Sequence, residues 1–139
     1  MATNDWKNIT EGISNFIAKE FGSLVPVYIG EGDYSENQFL KIIPVSNELV
    51  ERVVSAEFRK YNYNFIFYTM SNTTKRLALT NVFRILSRLE SLIANKRTFS
   101  VGILDAINGS LESYEIDESD AYDFIVTMNF SCGYLSKVS

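Results

Sequence analysis

The sequence predicts an α+β fold: a mainly antiparallel sheet with a long bulged strand and two helices packed on one face. Apolar residues recur at helical spacing in only two stretches, whereas several other stretches show the period-2 alternation of strands. The predicted strands are clustered and do not alternate regularly with helices, which is typical of α+β domains. A chain of 139 residues fits one domain, and we assign 1–139 to it.

The two helices are predicted from their apolar stripes. The first extends from about Asp5 to Phe21, where Ile9 and two further isoleucines recur every four residues. Gly22 follows at the position expected for a left-handed helix end. The second helix is predicted over about Thr73 to Arg97, with leucines and isoleucines along one face.

Two short strands are predicted between the first helix and the long strand. Leu24–Ile29 is rich in β-branched residues, and Pro26 within it indicates a strand start or a sheet edge. Gln38–Ile43 is the second strand, which we expect to end at Pro44.

Arg52–Met70 is predicted to be one long strand, because it contains no Gly or Pro and is rich in aromatic residues. Its alternation changes phase at Arg59–Lys60, which predicts a β-bulge there. Such a strand is longer than the body of a domain of this size, so part of it must project. We expect Tyr61–Phe67 to be core and Val53–Arg59 to project toward another subunit.

The C-terminal third is predicted to contain at least two more strands. Phe99–Ile107 is extended, and Asn108–Gly109 is a strong type I′ hairpin signal. Leu111–Ile116 is predicted as a strand that leads into an acidic turn at Asp117–Asp120. Tyr122–Tyr134 alternates cleanly and predicts an antiparallel strand with one buried face.

Composition argues against several classes of function. The net charge of −4 and the pI near 4.8 argue against general nucleic-acid affinity. The N-terminal residues do not resemble a signal peptide and no apolar run is long enough to span a membrane, so we expect a soluble intracellular protein. The chain has one cysteine and no histidine, so no intramolecular disulfide, zinc site or Ser-His-Asp triad is possible. We therefore predict no catalytic, cofactor-binding or metal site, and no enzyme activity.

Charges are segregated along the sequence. Six acids and no base lie between Glu112 and Asp123, whereas the second helix carries six bases against Glu90 alone. One interpretation is that both are ordinary solvated surfaces. The other is that the acidic hairpin of one subunit meets the basic helix of the next, which would set the register of an assembly.

The order of these segments resembles the tail terminator, or tail-completion, proteins of long-tailed bacteriophages and related prophage or gene-transfer particles. The resemblance covers nearly the whole chain, from WKNITEGISNFIAKEF and VPVYIGE through FLKIIPVS and EFRKYNYNFIFY to INGSLESYEI and FIVTMNFSCGY. It departs from the family where many members have a longer acidic loop after the first helix. The family has no catalytic signature.

The resemblance implies a structural virion protein of the tail or neck, assembled in the host cytoplasm. It implies a homo-oligomeric ring, hexameric in the family, that caps the tail tube protein and ends tube polymerisation. The ring would join the tail to a head–tail connector or stopper protein, while DNA passes through its lumen without specific binding. Alternatives are another connector or stopper protein of the neck, and a monomeric ligand-binding module.

Two sets of residues are the predicted working surfaces. The subunit-interface candidates are Val53, Ser55, Glu57, Arg59, Arg84 and Arg88. The acids predicted to face the lumen or a partner are Glu112, Glu115, Asp117, Glu118 and Asp120.

Overall fold

The computed structural model describes residues 5–22, 25–30, 32, 37–70, 75–95, 99–101, 104–118 and 123–137. Its elements are α1 (Asp5–Phe21), β1 (Val27–Ile29), β2 (Gln38–Val53), β3 (Ala56–Met70), α2 (Lys75–Asn95), β4 (Phe99–Val101), β5 (Leu104–Glu118) and β6 (Asp123–Lys137). The six strands form a sheet in the order β1-β2-β3-β6-β5-β4. Only the β1–β2 pair is parallel among these strands. The predicted α+β class and mainly antiparallel sheet are confirmed.

Both predicted helices are present, and their apolar stripes pack against the same face of the sheet. The three isoleucines of α1 are buried together with residues of α2, β2, β3 and β6 in one core. Helix α1 ends at Gly22, whose φ of 58° is the left-handed conformation predicted there. The predicted span of α2 extends two residues past each end of the observed helix, and those four residues lie outside the described ones.

The prediction of one long strand over Arg52–Met70 is wrong, because the chain reverses inside it. Strand β2 continues to Val53, a turn occupies Val54–Ser55, and β3 begins at Ala56. Strands β2 and β3 therefore form a long antiparallel hairpin. The turn lacks Gly, Pro, Asn and Asp, so the sequence carried none of the usual hairpin signals.

The predicted bulge at Arg59–Lys60 is also wrong. Strand β3 pairs with β6 in one uninterrupted register from Ala56 to Met70. The phase change arises because Phe58 lies on the face opposite to Tyr61 and packs over Gly133 of β6. A Cβ atom built on Gly133 would clash with Phe58 Cζ and lie 3.2 Å from Phe58 Cε1, so a larger residue here requires the ring to shift.

The bulges lie in β2, which does not end at Pro44 as predicted. The register against β3 shifts between Pro44 and Ser46 and again between Leu49 and Glu51. Proline is tolerated here because, among the described strands, β1 pairs with β2 only at Leu40, Lys41 and Ile42, so Pro44 lies on an edge. This leaves Val45 and Val50 as the extra residues of the two bulges.

The prediction of a hairpin turn at Asn108–Gly109 is wrong as well. Both residues lie inside β5, which runs unbroken from Leu104 to Glu118. The register against β6 shifts between Ile107 and Ser110, so the Asn-Gly pair forms an irregularity within the strand. Asp117 and Glu118 of the predicted acidic turn are still paired with β6, and the rest of that turn lies outside the described residues.

The remaining predictions agree with the sheet. Strand β1 is shorter than the predicted Leu24–Ile29 and lies at the sheet edge directly after Pro26, as that proline indicated; Leu24 lies outside the described residues. The extended stretch Phe99–Ile107 contains β4, which pairs with the start of β5. Strand β6 buries the predicted apolar side chains from Phe124 to Tyr134, although Ser131 and Gly133 between them are buried as well; Tyr122, the predicted start, lies outside the described residues.

The β2–β3 hairpin has two parts, and the sheet has two faces. The hairpin base is Gln38–Ile43 with Tyr61–Met70, and the hairpin arm is the distal part of the same hairpin, residues 44–60. The helix side of the sheet is the face on which α1 and α2 pack. The open face is the opposite one, which no helix covers among the described residues.

Candidate assembly surfaces

The hairpin arm exposes apolar side chains that no described part of the chain covers. The side chain of Val50 is 58% exposed, Val54 in the turn is fully exposed, and Val45 and Leu49 are also exposed. In the hairpin base, by contrast, Tyr63, Phe65 and Phe67 are almost completely buried. Single exposed apolar residues are common on protein surfaces, whereas several that lie together mark an interaction surface.

An ion-paired network stiffens the helix side of the arm. Arg52 Nη2 donates to Glu57 Oε2 at 2.9 Å across the hairpin, and Arg59 Nη2 lies 3.5 Å from the same oxygen. Arg59 Nη1 also donates to Asn47 Oδ1 at 2.9 Å. The hydrogen bond from Arg52 is the main reason that the pKa of Glu57 lies below its usual value.

The predicted interface residues of the arm therefore have different positions. Ser55 is exposed in the turn, whereas Glu57 and Arg59 are half-buried and paired within the chain. Val53 ends β2, and its side chain lies outside the described ones. Sequence reasoning missed the exposed valines of β2 because it ended that strand at Pro44. It missed Arg52 as a partner of Glu57 because the two residues face each other only through the register of the hairpin, which the sequence does not reveal.

The open face carries a band of small polar side chains across four neighbouring strands. Asn62 Nδ2 donates to Ser46 Oγ at 3.2 Å between β3 and β2. Asn129 Nδ2 donates to Ser113 Oγ at 2.7 Å between β6 and β5. Within this band the polar side chains satisfy one another's hydrogen-bonding groups.

Acidic side chains border this band on β5. Glu115 and Asp117 pair with open-face positions of β6, and the Glu112 carboxylate reaches the same face. Ser131 Oγ donates to Glu112 Oε1 at 2.7 Å, and Lys60 Nζ lies 3.2 Å from that oxygen. The Ser131 hydrogen bond, helped by Lys60, lowers the pKa of Glu112 and keeps it ionised.

The other two predicted acids do not join this group in the described structure. Glu118 is paired with Phe124, a core position, so its place in the strand is on the helix side; its side chain lies outside the described ones. Asp120 lies outside the described residues. Asp123 was not among the candidates, yet it starts β6 on the open face and accepts a hydrogen bond from Tyr68 Oη at 3.2 Å.

The two candidate arginines of α2 make contacts within the chain. Arg88 Nη2 donates to the Glu20 carbonyl oxygen at 3.1 Å and lies 3.4 Å from Glu20 Oε1. Its guanidinium also lies 4.9 Å from the centre of the Phe21 ring. A cation beside the last carbonyl groups of α1 stabilises the C-terminal end of this helix. Arg84 is exposed and donates to Asn81 Oδ1 at 2.9 Å, so Arg88 has a structural role and Arg84 stays available on the surface.

The described hollows are open and lack a catalytic constellation. The most apolar of them, about 380 Å³, lies beside the N-terminal turns of α1 and is lined by Trp6, Thr10, Ile29 and Pro44 among others. Burial raises the pKa of the Cys132 thiol to about 12, so it is a poor nucleophile. Among the residues that the structure describes, no group of three or more Cys, Asp or Glu side chains is placed to hold a metal ion.

The comparisons with known proteins add no family. No protein-family model and no curated protein matches the chain. Within the described residues, neither helix has the length and apolarity needed to cross a membrane.

Proposed function

We propose that this protein is a structural subunit of a ring that caps the tail tube of a phage-like particle and ends tube polymerisation. The observation that carries the proposal is the hairpin arm, which extends the core strands β2 and β3 past the helices and exposes Val45, Val50 and Val54. A domain that works alone has no use for an apolar extension of this kind, whereas a subunit of an assembly does.

The open face supports the same proposal. A wall of Asn, Ser and Thr bordered by Glu112, Glu115 and Asp117 offers a DNA duplex few cations to bind. Ionised acids repel the phosphate backbone, so DNA would slide past such a surface without adhering. We propose that this face lines the lumen, with the helices on the outside of the ring.

The proposed partners are further copies of the chain, the tail tube protein and a head–tail connector or stopper protein. The order of the elements also supports these partners, because it resembles that of the tail terminators described above. A connector or stopper of the neck is the second candidate in the same class, since a subunit of either ring needs an exposed arm.

Deleting the gene tests the function directly. We expect overlong tails without heads, because nothing would end tube growth, and rescue by the wild-type gene. Tails of normal length with heads that leak DNA would instead support the connector. Electron microscopy of protein bound to authentic tails should show a six-fold ring, and monomers or dimers alone would contradict the proposal.

The monomeric ligand-binding alternative has its own test. If the hollow beside Trp6 binds a metabolite, a thermal-shift screen with nucleotides and small metabolites should find a stabilising compound. We expect no shift, because the described hollows are open to solvent and would leave much of a bound metabolite exposed.

A further inference from the structure

The sheet has two long stretches of edge strand without a neighbour among the described residues. Strand β1 covers β2 only at Leu40–Ile42, so no described strand pairs with the outer edge of β2 along residues 44–53. Strand β4 covers β5 only at Leu104–Ala106, so the outer edge of β5 along residues 110–118 likewise has no partner strand within the described ranges. Unpaired edges present rows of backbone donors and acceptors that can pair with another chain.

The two free edges are complementary in direction. Strands β2, β3, β6 and β5 alternate in direction, so β2 and β5 run in opposite directions. In a cyclic assembly all copies have the same orientation, so β5 of one copy would lie antiparallel to β2 of the next. The alternation of the sheet would then continue across the subunit boundary without a break.

On the helix side of the sheet, both free edges carry exposed apolar side chains. Leu49 of β2 pairs with Arg59, and Tyr114 and Ile116 of β5 pair with core residues of β6, so all three lie on the helix side. Each of the three is exposed by more than 40%. Joining the edges would bring these apolar side chains together.

We infer that the free edge of β5 in one copy pairs with the free edge of β2 in the next copy. This inference rests on the proposed ring and names the contact that builds it. The contact uses different patches on the two partners, so it is heterologous, and such contacts generate closed rings or open filaments. The free stretches lie at opposite ends of the sheet, since Glu115 is level with Lys41 across the four strands. Pairing them therefore staggers the copies, as a closed sheet of tilted strands requires.

Two features oppose indiscriminate pairing along the same edge. Pro44 lacks an N–H group, and β2 contains two register shifts. Both features interrupt the row of backbone hydrogen-bonding groups, so an arbitrary strand cannot pair along the whole edge. The helix side of β5, with Tyr114 and Ile116 exposed, gives a second copy the apolar side chains that suit this edge.

Disulfide trapping between two single variants tests the contact. Leu49→Cys protein is mixed with Ile116→Cys protein under oxidising conditions, and in parallel with Tyr114→Cys protein to sample a second register. Two cysteines can bridge only when their Cα atoms lie within about 7 Å. Native Cys132 does not interfere, because it is buried and its thiol is weakly ionised. Glu48→Cys mixed with Ile116→Cys is the matched control, since Glu48 pairs with Lys60 on the open face.

We expect at least one of the two mixtures to give a covalent dimer with one copy of each variant, at several times the yield of the Glu48→Cys control. Neither variant alone should dimerise. Abundant dimers of Leu49→Cys alone would show arm-to-arm pairing and overturn the inference. If rings form on tails but neither mixture cross-links, the edge pairing is wrong and the ring proposal survives. If the mixtures cross-link but no ring forms and tail length does not depend on the protein, the edge contact stands and the proposed function fails.

Discussion

The base and the arm of the same hairpin have opposite surroundings. In the base, β3 places Tyr63, Phe65 and Phe67 under the helices, and Phe65 stacks on Phe130 with ring centres 4.8 Å apart. In the arm, the same two strands leave the helices behind, and Val50 and Val54 are exposed. One continuous hairpin thus contributes to folding at one end and presents an apolar surface at the other.

The largest effect on stability is expected in the base. Phe65→Ala should lower the free energy of unfolding by about 3–5 kcal/mol, because it removes a fully buried ring and leaves a cavity. Chemical denaturation measures the change. A loss below about 1 kcal/mol would mean that the base is not the core of the domain.

A smaller effect is expected where the arm has its one tight contact described above. Gly133→Ala should cost about 1–3 kcal/mol, because the new methyl group meets the Phe58 ring. Phe58→Leu should remove most of that cost, so the double variant should be more stable than the sum of the two changes predicts. Additive costs would show that Phe58 does not restrict this position.

The ion pairs of the arm should have a weaker effect that depends on pH. The pKa of Glu57 is lowered chiefly by Arg52, so its ionised form favours the folded state. That contribution is present above the pKa of Glu57 in the unfolded chain and is lost as pH falls through the lower folded value. Arg52→Gln should raise the pKa of Glu57, which a carboxyl NMR titration measures. An unchanged pKa would mean that the Arg52 contact does not persist in solution.

The smallest effect on stability is expected at the exposed valines, where the effect on assembly should be large. Val50→Asp should change the free energy of unfolding by no more than about 0.5 kcal/mol, because the side chain is mostly in solvent. The same variant should fail to form rings on tails, since it buries a charge in the proposed contact. Thr80→Asp on the exposed surface of α2 adds the same charge away from the arm, and it should assemble normally. If the Val50→Asp protein forms normal rings, the arm does not take part in assembly.

The base and the arm also differ in how well the sequence predicts them. Periodicity was sufficient for α1, α2, β6 and the buried half of β3, because each has one face in the core and one in solvent. It failed in the arm, where neither face is buried against a helix and the alternation therefore has no single phase. Pro44 and Asn108–Gly109 suggested ends where strands continue, because edge positions and bulges accept residues that a central strand excludes.

The acidic surface was only partly predictable for a related reason. The sequence identified the acids, but their faces depend on the register shifts of β5, which assign Glu112, Glu115 and Asp117 to the open face. Arg88 was predicted as an interface residue from its charge alone. Its contact with Glu20 depends on how α2 crosses the end of α1, which no local pattern encodes.

The network of Arg52, Glu57, Arg59 and Asn47 has a consequence for the free energy of association. A flexible arm would have to be immobilised when a second copy binds, at a cost of about 0.5–1.5 kcal/mol for each long side chain that loses its freedom. These four side chains already hold one another across the hairpin, and β6 backs the arm as far as Ala56. The arm is thus preorganised, and most of its ordering entropy is lost when the monomer folds, before any partner arrives.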